Sequence, residues 1–250
     1  MGRKIELGMT WAGLVWVILF FIGMVPLANW IPLPSPSDTA AEVQAMYVDH
    51  TNSIRAGLAL IFTGTIGYIL FSAAIASQCR RIKGAPTALR YAQVGSIGAC
   101  TLLIIVPIII WFTAAYRPEV RSAESIQLLN DLGWIMFIVG FVPFVAWVWT
   151  VGLAILSDED ADPLFPRWAG YLCMLLGTLQ IPPILLVFFQ TGPFAWNGLF
   201  SWWIPATDFF TFFLVMLVLT LRAIRRTPAA APEAPQAVPE LAGAGAGTGR

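Results

Sequence analysis

Long uncharged apolar stretches alternate with short charged segments along this chain of 250 residues. About 20 apolar residues are enough for a helix to cross the hydrocarbon core of a bilayer. Backbone polar groups in lipid have to be hydrogen-bonded within their own segment, so these stretches are expected to be helices. The pattern predicts an all-α integral membrane protein, a six-transmembrane-helix bundle in one domain (1–226), with spans near 8–30, 56–79, 91–116, 132–157, 168–190 and 205–226.

The distribution of lysine and arginine between the loops predicts the orientation of the bundle. With a cytoplasmic N-terminus, eleven basic residues lie inside: Arg3, Lys4, Arg80, Arg81, Lys83, Arg90, Arg167, Arg222, Arg225, Arg226 and Arg250. Only three, Arg55, Arg117 and Arg121, then lie outside. Because cytoplasmic loops carry the excess of positive charge, both termini are predicted to be cytoplasmic (N-in/C-in) in a multi-pass protein of the plasma (inner) membrane.

The composition supports an integral membrane protein and gives no support to a nucleic-acid-binding protein. The chain is 58% hydrophobic and 11% charged, whereas about a quarter of the residues of an average soluble domain are charged. Its formal net charge of zero gives no electrostatic basis for binding nucleic acid. The excess of arginine over lysine, with a tail rich in Ala, Gly and Pro, favours a bacterial origin. Residues 227–250 are predicted to be a disordered cytoplasmic tail.

The sequence lacks the residues that most catalytic and cofactor chemistry requires. His50 is the single histidine, which excludes multi-histidine iron centres, bis-histidine haem and an HExxH zinc site. Cys79, Cys100 and Cys173 have no ligand-like spacing and are interpreted as small apolar interior residues. We therefore expect no metal and no cofactor, and catalysis is the least favoured class of function.

Two segments on the predicted outer side differ in character. In the loop 31–54, apolar residues recur at helical spacing between Asp38 and Asn52, which predicts a short surface helix. The segment 191–204 is uncharged and aromatic, and it includes Trp196 and Trp202. It fits a belt of aromatic side chains at the level of the lipid headgroups. Alternatively, it forms an apolar lid or a docking surface.

Prolines and one amide mark the fifth span. Pro182 and Pro183 remove two consecutive helical hydrogen bonds near its middle, beside Gln180. Carbonyl groups freed in this way need other donors within a membrane. Gln180 is therefore either a polar binding residue near the midplane or an amide that bonds to a neighbouring helix.

Asp208 lies deeper in its predicted span than a carboxylate should. Only 13 uncharged residues separate it from Arg222, a rise of about 20 Å against a hydrocarbon core of about 30 Å. Arg55 begins the second span, where a cation faces the positive end of the helix dipole and should seek a carboxylate. We therefore predict an external cluster of Arg55, Asp131 and Asp208, with Asn130 beside it. Such a cluster would be either a clamp between helices or the mouth of a binding site.

Two classes of function fit these observations better than catalysis. The first is a protein that binds or transports a small apolar or amphipathic molecule from the outer face, with ligand-binding residues Arg55, Asn130, Asp131, Gln180, Trp196, Trp202 and Asp208. The second is a non-catalytic accessory or assembly subunit of a larger membrane complex, docked through the aromatic segment. The expected partners are the lipid bilayer together with a small apolar ligand or another membrane protein.

Overall fold

The computed structural model describes residues 2–226, and this part of the chain is all-helical, without strands. The predicted tail, 227–250, lies outside the described residues. The α-helices are α1 (Gly2–Ile22), α2 (Ala40–Asp49), α3 (Thr51–Cys79), α4 (Thr87–Tyr116), α5 (Ala123–Val139), α6 (Val142–Leu156), α7 (Arg167–Leu179) and α8 (Ile204–Arg226). Short π-helical segments, Gly23–Leu27 and Leu199–Trp203, follow α1 and precede α8.

Six helical segments are long and apolar enough to cross a membrane: Gly2–Leu27, Thr51–Cys79, Thr87–Tyr116, Ala123–Leu156, Arg167–Phe188 and Leu199–Arg226. Their number and order agree with the six spans predicted from the sequence. The observed helices mostly begin earlier than predicted, because their first turns contain the charged and polar residues that the hydropathy pattern leaves out.

The fourth span is two helices rather than the continuous helix predicted over 132–157. α5 ends at Val139 and α6 begins at Val142. Pro143 has no backbone N–H and therefore cannot bond to the carbonyl of Val139, which explains a break at this point. α5 also begins at Ala123, where the Ser122 side chain accepts a hydrogen bond from the Ser125 N–H.

The fifth span breaks where its two prolines predict. α7 ends at Leu179, and the chain continues as a 3-10 helix, Pro182–Phe188. The chain then leaves helical conformation until Leu199. Only half of this span is therefore a regular α-helix, and its polar residue Gln180 stands at the break.

The predicted helix in the loop 31–54 is present as α2. Its first turn has a capping box, in which Thr39 and Glu42 each bond to the backbone of the other. The two hydrogen bonds from Thr39 lower the pKa of Glu42. Gln44 Nε2 donates to the carbonyls of Pro118 and Arg121 at 2.9 and 2.8 Å, which fixes α2 against the loop before α5. We refer to this end of the bundle as the α2 end.

At the opposite end of the bundle, an ion pair joins the loop after α3 to the loop after α6. Lys83 Nζ lies 2.7 Å from Asp160 Oδ2, and both side chains are exposed. Their hydrogen bond and opposite charges lower the pKa of Asp160 and raise the pKa of Lys83. An exposed pair of this kind contributes little to stability, about 0–1 kcal/mol.

Close packing of α1 on α3 holds the first two spans together. A Cβ atom on Gly67 of α3 would collide with the backbone carbonyl of Ala12 in α1. The absence of a side chain at this position lets the two backbones approach. Small residues commonly serve this purpose between helices in membranes, where association depends on tight van der Waals packing.

Candidate functional site

Arg55, near the start of α3, caps the last turn of α4. Its Nε donates to the carbonyl of Ala115 at 2.8 Å, and its Nη2 donates to the carbonyl of Tyr116 at 2.6 Å. The last carbonyls of a helix have no partner within the helix, and the dipole favours a cation there. Arg55 thus stabilises the negative end of a neighbouring helix, which removes its need for a carboxylate.

The structure forms no ion pair within the predicted cluster. Among residues 2–226, the ion pairs are Lys83–Asp160 and Arg226–Asp162, and neither involves Arg55, Asp131 or Asp208. The dipole of its own helix predicted a carboxylate partner for Arg55. The C-terminus of α4, a nearer source of negative charge, was not visible in the sequence.

Asn130 and Asp131 belong to a network that joins α2 to the bundle. Asn130 is 1% exposed, its Oδ1 lies 3.3 Å from the hydroxyl of Tyr47, and its Nδ2 donates to Asp131 Oδ1 at 3.2 Å. Its backbone carbonyl accepts a hydrogen bond from Trp111 Nε1 at 3.4 Å. Burial raises the pKa of the Tyr47 hydroxyl, so it stays protonated and can donate. These contacts indicate a structural role for Asn130 and Asp131.

Asp208 lies within the sixth apolar span and is 7% exposed. Its Oδ2 is buried and has no hydrogen-bond partner in the described part of the chain. An unpaired carboxylate within a membrane costs several kcal/mol unless it is neutral or hydrated. Asp208 is therefore a buried acidic residue with an unpaired carboxylate oxygen.

The aromatic segment before α8 folds onto the bundle. Trp196 is 6% exposed, and its Nε1 donates to the carbonyl of Pro34 at 2.8 Å. Trp202 is 7% exposed and packs against Trp134, with ring centroids 6.2 Å apart. These two tryptophans thus hold the segment in place and are not available as an exposed docking surface.

A cavity of about 110 Å³ lies inside the bundle, where the α5–α6 break meets the end of α7 and the start of α8. All six apolar spans contribute to its wall. Aromatic side chains form most of the wall: Trp16, Phe20, Tyr68, Phe137, Phe141, Phe144, Trp202, Phe209 and Phe210. The remaining wall residues are Cys100, Leu103, Ile104, Ile138, Gly140, Gln180, Pro205 and Ala206.

Gln180 brings a polar group to this apolar wall. It is 5% exposed, and its Nε2 donates to the carbonyl of Pro205 at 2.6 Å. The hydrogen bond joins the end of α7 to the first turn of α8, so the predicted contact with a neighbouring helix is present. Gln180 also lines the cavity. The interhelical contact is therefore present, and the role of Gln180 as a binding residue stays a prediction.

The cavity is incompletely sealed. Its wall includes partly exposed residues at the α5–α6 break and on α8, among them Phe141, Ala206 and Phe210. The structure thus combines an apolar internal space with an approach from the side of the bundle.

The sequence indicated only two of the wall residues, Gln180 and Trp202. Cys100 is buried, as expected of a small interior residue, but it also forms part of the wall. The helical spacing of Phe209 and Phe213 in α8 is a sequence signal for interior residues. Both side chains pack against Trp16. Asp208, Asp131, Asn130, Arg55 and Trp196 are not among the residues that line the cavity.

Within residues 2–226, no group of three or more His, Cys, Asp or Glu side chains is placed to hold a metal ion. Six apolar helices around an aromatic cavity are compatible with a polytopic membrane protein. No protein family model matches the chain, and no curated protein or solved structure matches it. The function therefore has to be argued from the cavity itself.

Proposed function

We propose that the chain is a multi-pass protein of the plasma membrane, with both termini cytoplasmic, that binds a small apolar or amphipathic molecule in its central cavity. The apolar length of the six helices and the excess of basic residues in the segments predicted to be cytoplasmic support the insertion and its orientation. Binding would be the first step of transport, which requires in addition that the site open toward the α2 end.

The observation that carries this proposal is the aromatic cavity. Ligand sites are mostly apolar spaces with a few polar groups, which is the chemistry of this wall. Drug-sized ligands occupy about 300–1,000 Å³, whereas an apolar cavity of about 150 Å³ accepts benzene. The observed 110 Å³ suits a ring-sized molecule, or the head of a longer one whose remainder extends through the open side.

The energetics of packing favour an occupant. An enclosed, empty apolar cavity costs about 24 cal/mol per Å³, which for 110 Å³ sets an upper bound of about 2–3 kcal/mol for this partly open one. Aromatic rings lose dispersion contacts across a gap and regain them when a molecule fills it. A ligand that fits the space would therefore stabilise the folded bundle.

Photolabelling tests the proposal directly. The purified chain in liposomes is irradiated with trifluoromethyl-phenyldiazirine at increasing concentration, and labelled residues are located by mass spectrometry. The phenyl ring of this small apolar probe would enter the cavity, and its substituents would extend through the open side. We expect saturable labelling of wall residues between Trp202 and Phe210, which excess toluene prevents. Labelling of surface residues by probe dissolved in lipid should instead rise linearly and resist toluene.

A matched pair of variants distinguishes the cavity from the lipid surface. Ala206→Phe places a ring on the cavity wall and should reduce saturable labelling to the level of the lipid-exposed segments. Thr207→Phe introduces the same side chain at the next position, which is exposed, and should leave saturable labelling unchanged. Linear labelling of the wall, or equal effects of the two variants, would refute binding in this cavity.

A further inference from the structure

The side-chain amide of Gln180 has an orientation that its hydrogen bond determines. A carbonyl oxygen can only accept, so the group that lies 2.6 Å from the Pro205 oxygen has to be the amide nitrogen. The amide oxygen, Oε1, therefore occupies the other branch of the side chain. It belongs to the one amide side chain on the cavity wall.

This amide oxygen is an unused hydrogen-bond acceptor. Among residues 2–226, no donor reaches Oε1, although Gln180 as a whole is 5% exposed. Oε1 is also not among the polar atoms that surrounding protein atoms seal completely. An acceptor in an apolar site without a donor costs about 1–3 kcal/mol, so a ligand that supplies the donor gains affinity.

The other polar groups on the cavity wall differ in how completely protein atoms cover them. Trp16 Nε1 and Tyr68 Oη are completely covered by protein atoms. Trp202 Nε1 is not covered in this way, and it donates no hydrogen bond to the described residues. The accessible polar groups on the wall therefore include one amide acceptor and one indole donor.

We propose that the ligand is an uncharged, mainly apolar compound with a hydroxyl group, which donates a hydrogen bond to Gln180 Oε1. The inference rests on the proposed binding in this cavity. A hydroxyl both donates and accepts, so it can donate to Oε1 and still accept a hydrogen bond from another donor. Ethers and ketones lack the donor, and an ammonium group or a carboxylate would bring an unpaired charge into an apolar space.

Two isomeric compounds test the contribution of the hydrogen-bond donor of the ligand. Benzyl alcohol and anisole contain the same atoms, but only the alcohol has an O–H group. Each competes with the diazirine probe for the wild-type protein in liposomes, with concentrations expressed in the lipid phase. We expect benzyl alcohol to compete about 3- to 10-fold more strongly than anisole, the gain from one net hydrogen bond.

The outcomes distinguish this inference from the function on which it rests. If anisole competes as well as benzyl alcohol or better, the hydroxyl inference is wrong, and binding in the cavity stands. If benzyl alcohol, anisole and toluene all fail to compete, both proposals are wrong. The comparison uses only the wild-type protein, so its test of the hydroxyl group does not depend on whether a variant folds.

A substitution then assigns the preference to one residue. Gln180→Met keeps a side chain of similar length without the amide oxygen, and it should abolish the preference for benzyl alcohol while toluene still competes. Gln190→Met makes the same change at an exposed position and should retain the preference. A preference that persists in Gln180→Met would overturn the assignment of Gln180 as the acceptor.

Discussion

Gln180 Nε2 donates a hydrogen bond of 2.6 Å to the backbone carbonyl of Pro205, and it thereby joins the broken end of α7 to the first turn of α8. Both residues lie on the wall of the cavity. The contact therefore holds in place the part of the bundle where two spans depart from regular α-helix.

Removal of this contact should destabilise the bundle. We expect Gln180→Met to lower the free energy of unfolding by about 1–3 kcal/mol, because the Pro205 carbonyl loses a donor in a buried environment. Unfolding in mixed micelles, followed by far-UV circular dichroism, measures the change. Gln190→Met is the control and should stay within about 0.5 kcal/mol of the wild type. Equal stability of the two variants would contradict the structural role of Gln180.

The predicted orientation can be tested with single cysteines, since Cys79, Cys100 and Cys173 are all buried. Glu119→Cys, at the α2 end, should react with a membrane-impermeant maleimide added to intact cells. Ala161→Cys, at the opposite end, should react only after permeabilisation. Both positions are exposed, so burial does not explain a difference between them. Reaction of both from the same side would refute the six-span topology.

The contact between α1 and α3 predicts an asymmetry between two glycines. Gly67→Ala should cost about 1–3 kcal/mol of unfolding free energy, because its methyl group collides with the backbone of Ala12. Gly95→Ala meets nothing within 4 Å and should be neutral or slightly stabilising, since alanine favours helix. Thermal unfolding in detergent compares the two. A tolerated Gly67→Ala would show that the helices can separate at no cost.

Arg55 is expected to matter for stability more than for binding. Arg55→Gln removes the guanidinium from the last carbonyls of α4 and should lower the free energy of unfolding by about 1–3 kcal/mol. Arg121→Gln removes a cation at the same end whose side chain makes no hydrogen bond within the described residues. It should have little effect. If Arg55→Gln is fully stable but changes labelling of the cavity, Arg55 belongs to the ligand site after all.

Local sequence signals predicted most of the helical segments, but not the division of the fourth span into α5 and α6. The length of each apolar stretch predicted the number and order of the spans, and Pro182 and Pro183 predicted where the fifth one breaks. The helical spacing of apolar residues predicted α2. These features depend on residues close in sequence, because helix formation and proline breaks involve positions no more than about four residues apart.

The identity of the residues that meet between helices was beyond the reach of the sequence. The partner of Arg55 is the end of α4, 60 residues away along the chain, and the wall of the cavity joins Trp16, Phe144 and Phe209 from three different spans. Which side chains meet depends on how each helix is rotated about its axis and on how closely its neighbours pack. An apolar span offers little variation in polarity to indicate that rotation, so only the packing of all six spans together decided which residues surround the cavity.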